Sequence, residues 1–388
     1  MLTWLNKMNI YIFLWLVYSF QDLFMSKGTV FTQLLITVLL AYSMYSVFIV
    51  NTRYRLMKPL FFSGLNALLF LFTIYGLFYI VCGGRPEYLK SIYKSLLPIY
   101  SFYLLWWECS ISERTTYFWI FIFFLLTTMQ YHHHYQENLL LSVLGGSSKD
   151  EFTNNIGYLF LSLIPLCVFL YKKSIIQYIA IGYCIVFILM GMKRGAILIS
   201  VFCLLWFLWN NMKNARVKKK IILICLSLFL VTFTALIIQK QMEESLYFQK
   251  RVEDTLDGNS SGRDKIYGHL SNYFWNETTP FQFIGGSGAE VSVKIAGNFA
   301  HNDWLEIAVN QGLLGIIVYM FYWFFFAKEC LSKFYSNREK MTLQMLFIIY
   351  FMKTLISMSY GSMTFPATFA LGYCLAQRKK NEQVIYCN

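Results

Sequence analysis

The stretch GNFAHNDWLEIAVNQGLLG, residues 297–315, places an ionisable imidazole directly before a long apolar segment. Asn302 and the aspartate after it are residue types that cap helices, so the sequence predicts a long helix that starts there and runs into the membrane. At about 100° per residue, His301 and Gly312 would share nearly one face of the chain, with Gly315 nearby. We therefore expect His301 at a membrane surface, above two glycines that permit close helix packing.

The composition is that of an integral membrane protein. Of the 388 residues, 57% are hydrophobic and 19% are aromatic, while only 14% are charged, which is far too apolar for a soluble domain. The sequence therefore predicts an all-α fold, a polytopic bundle of about twelve transmembrane helices, although several apolar segments are shorter than the ~20 residues of a full crossing. The segments lie near residues 9–25, 30–50, 60–82, 95–108, 115–130, 156–171, 175–192, 195–210, 221–239, 304–327, 341–359 and 362–377.

The lysines and arginines fall mainly on alternate connecting segments, and cytoplasmic loops are the ones that hold them in excess. This pattern predicts both termini in the cytoplasm. Residues 1–239 would form spans 1 to 9, residues 240–303 one large extracytoplasmic loop of short helices, and residues 304–388 spans 10 to 12 with a cytoplasmic tail. The net charge of +13 is accounted for by anionic lipid, so it indicates no nucleic acid.

The large outer loop carries candidate anion-binding groups. Residues 241–256 have the pattern of an amphipathic helix, and Ser260-Ser261 is predicted to cap a second helix with Arg263 in its first turn, where backbone N–H groups favour an anion. Arg263 could instead pair with a neighbouring surface carboxylate. The run Gly285–Gly288 is a weaker candidate, since backbone N–H groups of a glycine loop can bind phosphate.

Two further cations stand at a short turn between the seventh and eighth predicted spans. Lys193 and Arg194 are predicted to lie outside, against the usual charge bias, which favours a functional role for Arg194. The alternative is that both side chains reach lipid headgroups from the helix ends. The run His132–His134, predicted to lie in an outer loop over residues 131–155, is a poor metal site because no Cys, Asp or Glu stands at ligand spacing beside it. We expect no metal and no cofactor.

His-Asn, nine residues, Gly, two residues, Gly, as in residues 301–315, resembles the signature of the bacterial O-antigen ligase and O-antigen polymerase superfamily. Two shorter motifs extend the resemblance: the Arg-Gly-Ala at Arg194, which opens a predicted span, and the Ser-Gly-Arg at Arg263, which has an aromatic residue four positions later.

The resemblance implies a membrane-embedded, GT-C-type, metal-independent and inverting glycosyltransferase in the bacterial inner membrane, with its active site on the periplasmic face. The donor would be an oligosaccharide linked to undecaprenyl pyrophosphate, and membrane lipid and a chain-length regulator would be partners. His301 would be the general base, and Arg194 and Arg263 would bind pyrophosphate. The supporting residues would be Lys193, Asn302, Glu306, Gly312 and Gly315.

The motifs do not distinguish a polymerase, which extends a lipid-linked repeat unit, from a ligase, which transfers the glycan to the lipid A core. We take the polymerase as the leading expectation because polymerases are the more numerous and diverse. A transporter of the lipid-linked sugar would share the apolar composition, but it should show internal repeats and charges at mid-membrane, and no convincing repeat is seen. A non-catalytic partner of the polysaccharide machinery remains a third alternative.

Overall fold

The computed structural model describes residues 6–25, 28–55, 58–109, 112–144, 156–172, 174–191, 193–213 and 262–387, with isolated positions between 214 and 261. All regular secondary structure in these residues is helical, which confirms the predicted all-α class. The predicted amphipathic helix over 241–256 lies almost wholly outside the described residues, as does most of the predicted span 221–239.

The α-helices are numbered here in chain order. They are α1 Lys7–Ser19, α2 Val30–Thr52, α3 Phe61–Val81, α4 Glu87–Leu96, α5 Pro98–Glu108, α6 Glu113–Leu144, α7 Ile156–Cys167, α8 Ser174–Met190, α9 Arg194–Lys213, α10 Arg263–Asn272, α11 Pro280–Gly285, α12 Val291–Ala296, α13 Asp303–Leu331, α14 Asn337–Ile356 and α15 Phe365–Cys387.

Four helices among the described residues are long and apolar enough to cross a membrane: Val30–Thr52, Phe61–Val81, Arg194–Lys213 and Asp303–Cys330. Two shorter apolar helices cover Ile156–Leu170 and Ile175–Met190. The chain therefore has the helices of a membrane protein, while the total of about twelve spans stays a prediction.

Two connecting segments differ from the sequence prediction. The histidines His132–His134 lie inside α6 and not in a loop, because α6 continues to Leu144; the prediction of a loop starting at residue 131 was wrong, and residues 145–155 lie outside the described part. The segment between the predicted spans 60–82 and 95–108 contains the short helix α4. This helix is amphipathic, burying Tyr88 and Leu89 on one side.

The chain divides into two compact units. The first unit contains Met1–Trp15, Gln33–Ser110 and Ser260–Asn388, and the second contains Leu16–Thr32 and Ile111–Asn259. His301 and Arg263 belong to the first unit, whereas Arg194 belongs to the second.

Helix α13 is the central element of the first unit and packs on α3, α11 and α14, while α15 packs on α5. Small residues allow the close crossings. A Cβ atom added at Gly64 of α3 would lie 2.9 Å from the Cα of Tyr322, and one added at Gly372 of α15 would lie 2.4 Å from the Cβ of Phe102. These close crossings pack the helices of the first unit around α13.

The second unit packs α7 against α6, α8 and α9. The rings of Phe160 and Phe187 stack with centroids 4.6 Å apart. At the end of α8, a Cβ added at Gly191 would lie 3.3 Å from the Cα of Gly157, so the turn before Arg194 is held close to α7.

Candidate functional site

His301 lies immediately before the N-cap of α13 and is half-buried. The Oδ1 of Asn302 accepts the N–H groups of Trp304, at 3.0 Å, and Leu305, at 3.2 Å, so the predicted helix start is confirmed. His301 itself has a φ of +52°, in the left-handed region. Because it lies outside the helix, the prediction that it shares a helical face with Gly312 was wrong.

A left-handed conformation costs a non-glycine residue about 1–2 kcal/mol, so the surrounding contacts must hold His301 in place. Glu306, only 1% exposed, supplies such a contact. Its carboxylate accepts the N–H of Ala300, at 2.9 Å, and the amide of Asn310, at 2.9 Å, as well as the hydroxyl of Ser292. Glu306 therefore fixes the backbone one residue before the imidazole, a contact that helical spacing could not predict.

Asp303, fully buried, anchors the other side of the same turn. Its carboxylate accepts the backbone N–H of Ser359, at 2.9 Å, and of Tyr360, at 3.2 Å, together with the hydroxyl of Tyr319, at 2.6 Å. The sequence predicted only a helix-capping role for Asp303. Its position at the start of an apolar helix, in a chain poor in acidic residues, was a signal that its carboxylate accepts hydrogen bonds from buried groups.

The loop between α14 and α15, residues 357–364, is held from a second direction by the buried Lys353. The Nζ of Lys353 donates to the hydroxyl of Ser362 at 2.6 Å. Asp303 binds the same loop through the N–H groups of Ser359 and Tyr360. These two side chains tie the loop to α14 and to the start of α13.

Arg263 is the first residue of α10, as predicted. The N-cap, however, is Gly262, with a φ of +79° and no side-chain cap, so the prediction that Ser260-Ser261 caps the helix was wrong. Glycine takes this place because it adopts the left-handed conformation without strain. The Nη1 of Arg263 donates to the carbonyl of Ile356 at 2.9 Å.

The C-terminal end of α14 brings Arg263 and the His301 turn together. The Nδ2 of Asn302 donates to the carbonyl of Leu355 at 3.4 Å, next to the Ile356 carbonyl that Arg263 binds. Carbonyls in the last turn of a helix have no intrahelical partner and carry the negative end of the helix dipole, which suits a guanidinium. Two segments almost forty positions apart in sequence therefore meet at one helix end.

Helix α13 is broken at Gly312, where φ is +67° and ψ is −162°. The carbonyls of Val309 and Asn310 accept the N–H groups of Ser287 and Gly288, each at 3.0 Å, in place of intrahelical donors. The prediction of one uninterrupted helix was therefore wrong at this point. A straight α13 would leave no room for the loop of Ser287 and Gly288, whose N–H groups bond to the free carbonyls of the kinked helix.

The glycines permit this close approach. A Cβ added at Gly286 would lie 2.3 Å from the carbonyl oxygen of Asn310, and one at Gly312 would lie 2.4 Å from the nitrogen of Gly286. A Cβ at Gly315 would lie 2.8 Å from the Cγ2 of Ile307, eight residues earlier, because the kink brings the two halves of α13 together.

The alternative function of the glycine run, phosphate binding, is not supported. The N–H of Gly286 donates to the carbonyl of Gln282 at 2.7 Å, and those of Ser287 and Gly288 donate to α13. Because these donors are already used inside the protein, they are not available to a phosphate. The run packs the segment between α11 and α12 against α13.

Arg194 is the first residue of α9, so the prediction that it opens a span is confirmed at the level of the helix. Lys193 precedes it, and its carbonyl accepts the N–H of Ile197 at 3.0 Å. Both side chains are half-buried. Because they belong to the second unit, the predicted meeting of Arg194 with His301 and Arg263 stays a prediction.

Among the described residues, no group of three His, Cys, Asp or Glu side chains is placed to hold a metal ion. His132 packs its ring against Tyr131, with centroids 5.6 Å apart, and against Phe187, at 6.3 Å. The rings of His133 and His134 lie with centroids 5.8 Å apart, so an aromatic contact, and not a metal ion, accounts for the placement of this run.

The arrangement in the first unit combines an imidazole on a fixed turn with a guanidinium that is anchored at the helix end which this turn also contacts. A neutral imidazole can take a proton from a hydroxyl, and a guanidinium can bind a phosphate or pyrophosphate with two parallel hydrogen bonds. Such a pair suits the transfer of a group from a phosphorylated carrier to a hydroxyl.

Residues 179–320 match the family model described as O-antigen ligase. The matched region contains Arg194, Arg263 and His301, and it confirms the resemblance that the motifs predicted. Members of this family are glycosyltransferase-like enzymes of O-antigen synthesis. A comparison with curated proteins gave no match.

Proposed function

We propose that this protein is an O-antigen or capsular polysaccharide polymerase of the bacterial inner membrane, with its active site on the periplasmic face. It would transfer a glycan from an undecaprenyl-pyrophosphate donor to a sugar hydroxyl of a lipid-linked repeat unit. The observation that carries the proposal is that Arg263 and the His301 turn, both inside the region that matches the O-antigen ligase family, meet at the C-terminal end of α14.

His301 would act as the general base. It would take the proton of the acceptor hydroxyl while the hydroxyl oxygen forms a bond to the anomeric carbon of the donor. The bond from that carbon to the pyrophosphate oxygen would break, its electron pair would leave with undecaprenyl pyrophosphate, and the anomeric configuration would invert. The strained turn at His301 supports this role because strain is retained where the surrounding structure fixes a functional group.

The arginines would stabilise the charge of the departing pyrophosphate. The hydrogen bond from Arg263 to Ile356 uses one of the five N–H donors of the guanidinium and fixes its direction. The remaining donors could bind two phosphate oxygens at once, and Arg194 would bind others. Two guanidiniums could supply the charge that a divalent metal supplies elsewhere, so we propose that transfer is independent of metal.

An O-antigen ligase, which transfers the glycan to the lipid A core, is the second candidate, because the matched family includes both activities. The chemistry at His301 would be the same. Purified protein given the lipid-linked repeat unit as both donor and acceptor should form a ladder of longer lipid-linked glycans if it is a polymerase. Product that appears only when lipid A core is added would assign the ligase.

The His301→Asn variant tests the base. Asparagine tolerates a left-handed backbone but cannot accept a proton, so the turn should stay intact while turnover falls by about 10²–10⁴. The turnover of the His301→Ala variant should fall by at least as much. His269→Ala, at an exposed histidine of α10, is the matched control and should transfer at the normal rate.

Turnover and glycan length would be measured in purified protein and in cells that lack the native gene. Normal glycan length in cells that express His301→Asn would refute the assignment of His301. An unmodified protein that moves the lipid-linked sugar across vesicles without forming a glycosidic bond would favour the transporter alternative.

A further inference from the structure

A second polar cluster lies in the first unit, away from the Arg263 contact, where α3, α4, α13 and the segment before α12 meet. It consists of Tyr79, Tyr88, Glu290 and Gln311 and is called here the tyrosine cluster. The hydroxyl of Tyr79 donates to the Oε2 of Glu290 at 2.6 Å, and the rings of Tyr79 and Tyr88 pack edge to face, with centroids 5.8 Å apart. The Nε2 of Gln311 donates to the hydroxyl of Tyr88 at 3.3 Å.

One polar atom of the cluster has no partner. Gln311 is 1% exposed, and its Oε1 makes no hydrogen bond. Leaving a buried polar group unsatisfied costs about 1–3 kcal/mol, so such an atom indicates a missing partner. If the amide is turned the other way, its NH₂ group takes the same position, and a hydroxyl group can satisfy either orientation.

The tyrosine cluster and the His301 turn each contain a residue with a left-handed backbone conformation. Among the described residues, Glu290 and His301 are the non-glycine residues with positive φ, at +59° and +52°. Both stand on the segment before α13, and Glu306 bonds to the chain between them through Ser292 and Ala300. Strained residues concentrate where a ligand is bound or transformed, and Glu306 links the two strained positions, which favours one larger site that contains both.

The charge of the cluster disfavours an anion. Burial raises the pKa of the Tyr88 hydroxyl, and the negative charges of Glu306 and Glu290 raise it further. Arg85 faces Tyr79 at the exposed edge, but the groups around Gln311 are neutral or acidic. A pyrophosphate would be repelled there, whereas an uncharged molecule rich in hydroxyl groups would find acceptors in Glu290 and Gln311 and an aromatic surface in Tyr79.

We propose that the tyrosine cluster binds the saccharide part of the substrate, an uncharged hydroxyl-rich chain, while the arginines bind its pyrophosphate. The half-exposed Tyr79 and Glu290 form the entrance, and the buried Tyr88 and Gln311 form the floor. Sugar and pyrophosphate are thereby recognised by separate groups of opposite electrostatic character. This assignment rests on the proposed function.

The test uses two probes on purified full-length protein in lipid nanodiscs. One probe is the oligosaccharide of the repeat unit with a free reducing end and no phosphate, and the other is undecaprenyl pyrophosphate without sugar. Gln311→Met and Glu290→Gln should each weaken oligosaccharide binding about tenfold, or about 1.4 kcal/mol, and leave undecaprenyl pyrophosphate binding unchanged. Arg263→Lys should show the opposite pattern.

Matched controls make the same chemical changes elsewhere. Gln177→Met replaces a buried glutamine of the second unit, and Glu87→Gln replaces an exposed glutamate at the start of α4. Both should bind the oligosaccharide normally. If Gln311→Met does not fold, the half-exposed Glu290→Gln decides the question.

The proposal is overturned if the unmodified protein does not bind the oligosaccharide, if Glu290→Gln binds it normally, or if the cluster variants weaken both probes equally. A protein that binds both probes separately but forms no glycosidic bond would refute the proposed function and leave the saccharide site standing. Normal glycan transfer together with unchanged oligosaccharide affinity in the cluster variants would refute the saccharide site and leave the proposed function standing.

Discussion

Replacing Gly312 by alanine distinguishes a kinked α13 from a straight one. In a straight exposed helix the change would raise stability by about 1 kcal/mol, since alanine is the better helix former. In the structure, the added Cβ would lie 2.4 Å from the nitrogen of Gly286 and 2.6 Å from the carbonyl oxygen of Ile284. We expect a loss of about 2–5 kcal/mol, because left-handed strain costs about 1–2 kcal/mol and overpacking about 1–3 kcal/mol.

Two other glycines separate these causes. Gly297 has a φ of +72° but no atom within 4 Å of an added Cβ, so Gly297→Ala should lose only the strain, about 1–2 kcal/mol. Gly268 lies inside α10, also with no atom within 4 Å, and Gly268→Ala should gain about 0.5–1 kcal/mol. From the most to the least stable, the expected order is Gly268→Ala, unmodified protein, Gly297→Ala and Gly312→Ala.

The assay is the midpoint of thermal unfolding of the four purified proteins in one detergent, followed by tryptophan fluorescence. A parallel measurement of glycan transfer should show Gly312→Ala impaired, because the kink frees the carbonyls that hold the loop of Ser287 and Gly288. A Gly312→Ala protein as stable as the unmodified one would refute the kink and the packing argument built on it.

The remaining predictions concern the arginines and the membrane orientation. Arg194→Lys and Arg263→Lys should each lower turnover by roughly 10²–10³, because lysine keeps the charge and loses the forked hydrogen bonds, and turnover of the unmodified protein should survive a chelator. Near-normal turnover in both lysine variants would indicate lipid anchoring instead, and a requirement for divalent metal would contradict the mechanism. In a variant without native cysteines, an impermeant thiol reagent added outside should label Asn276→Cys and not Lys333→Cys; the reverse pattern would place the site in the cytoplasm.

Local sequence determined the helices and their starting points. Asn302 caps α13 because its side chain satisfies N–H groups two and three residues away, an interaction that needs no distant partner. Arg194 and Arg263 each begin a helix, as predicted, although the residue that precedes α10 as its N-cap is Gly262 and not the predicted serine pair. The apolar composition determined that the protein is a helical membrane protein, since only such a class tolerates so few charges.

Tertiary structure decided how the site is assembled. Helical periodicity assumes that each carbonyl bonds four residues ahead, but the carbonyls before Gly312 bond to the glycine loop, and glycine is compatible with either outcome. The left-handed turn at His301 likewise depends on two buried carboxylates with partners on other segments, since Asp303 binds the loop after α14 and Glu306 binds Ser292 of α12. The sequence could name His301 and Arg263, but their meeting at the end of α14 required the packing of distant helices, because carbonyls at a helix end accept whichever donor the fold brings to them.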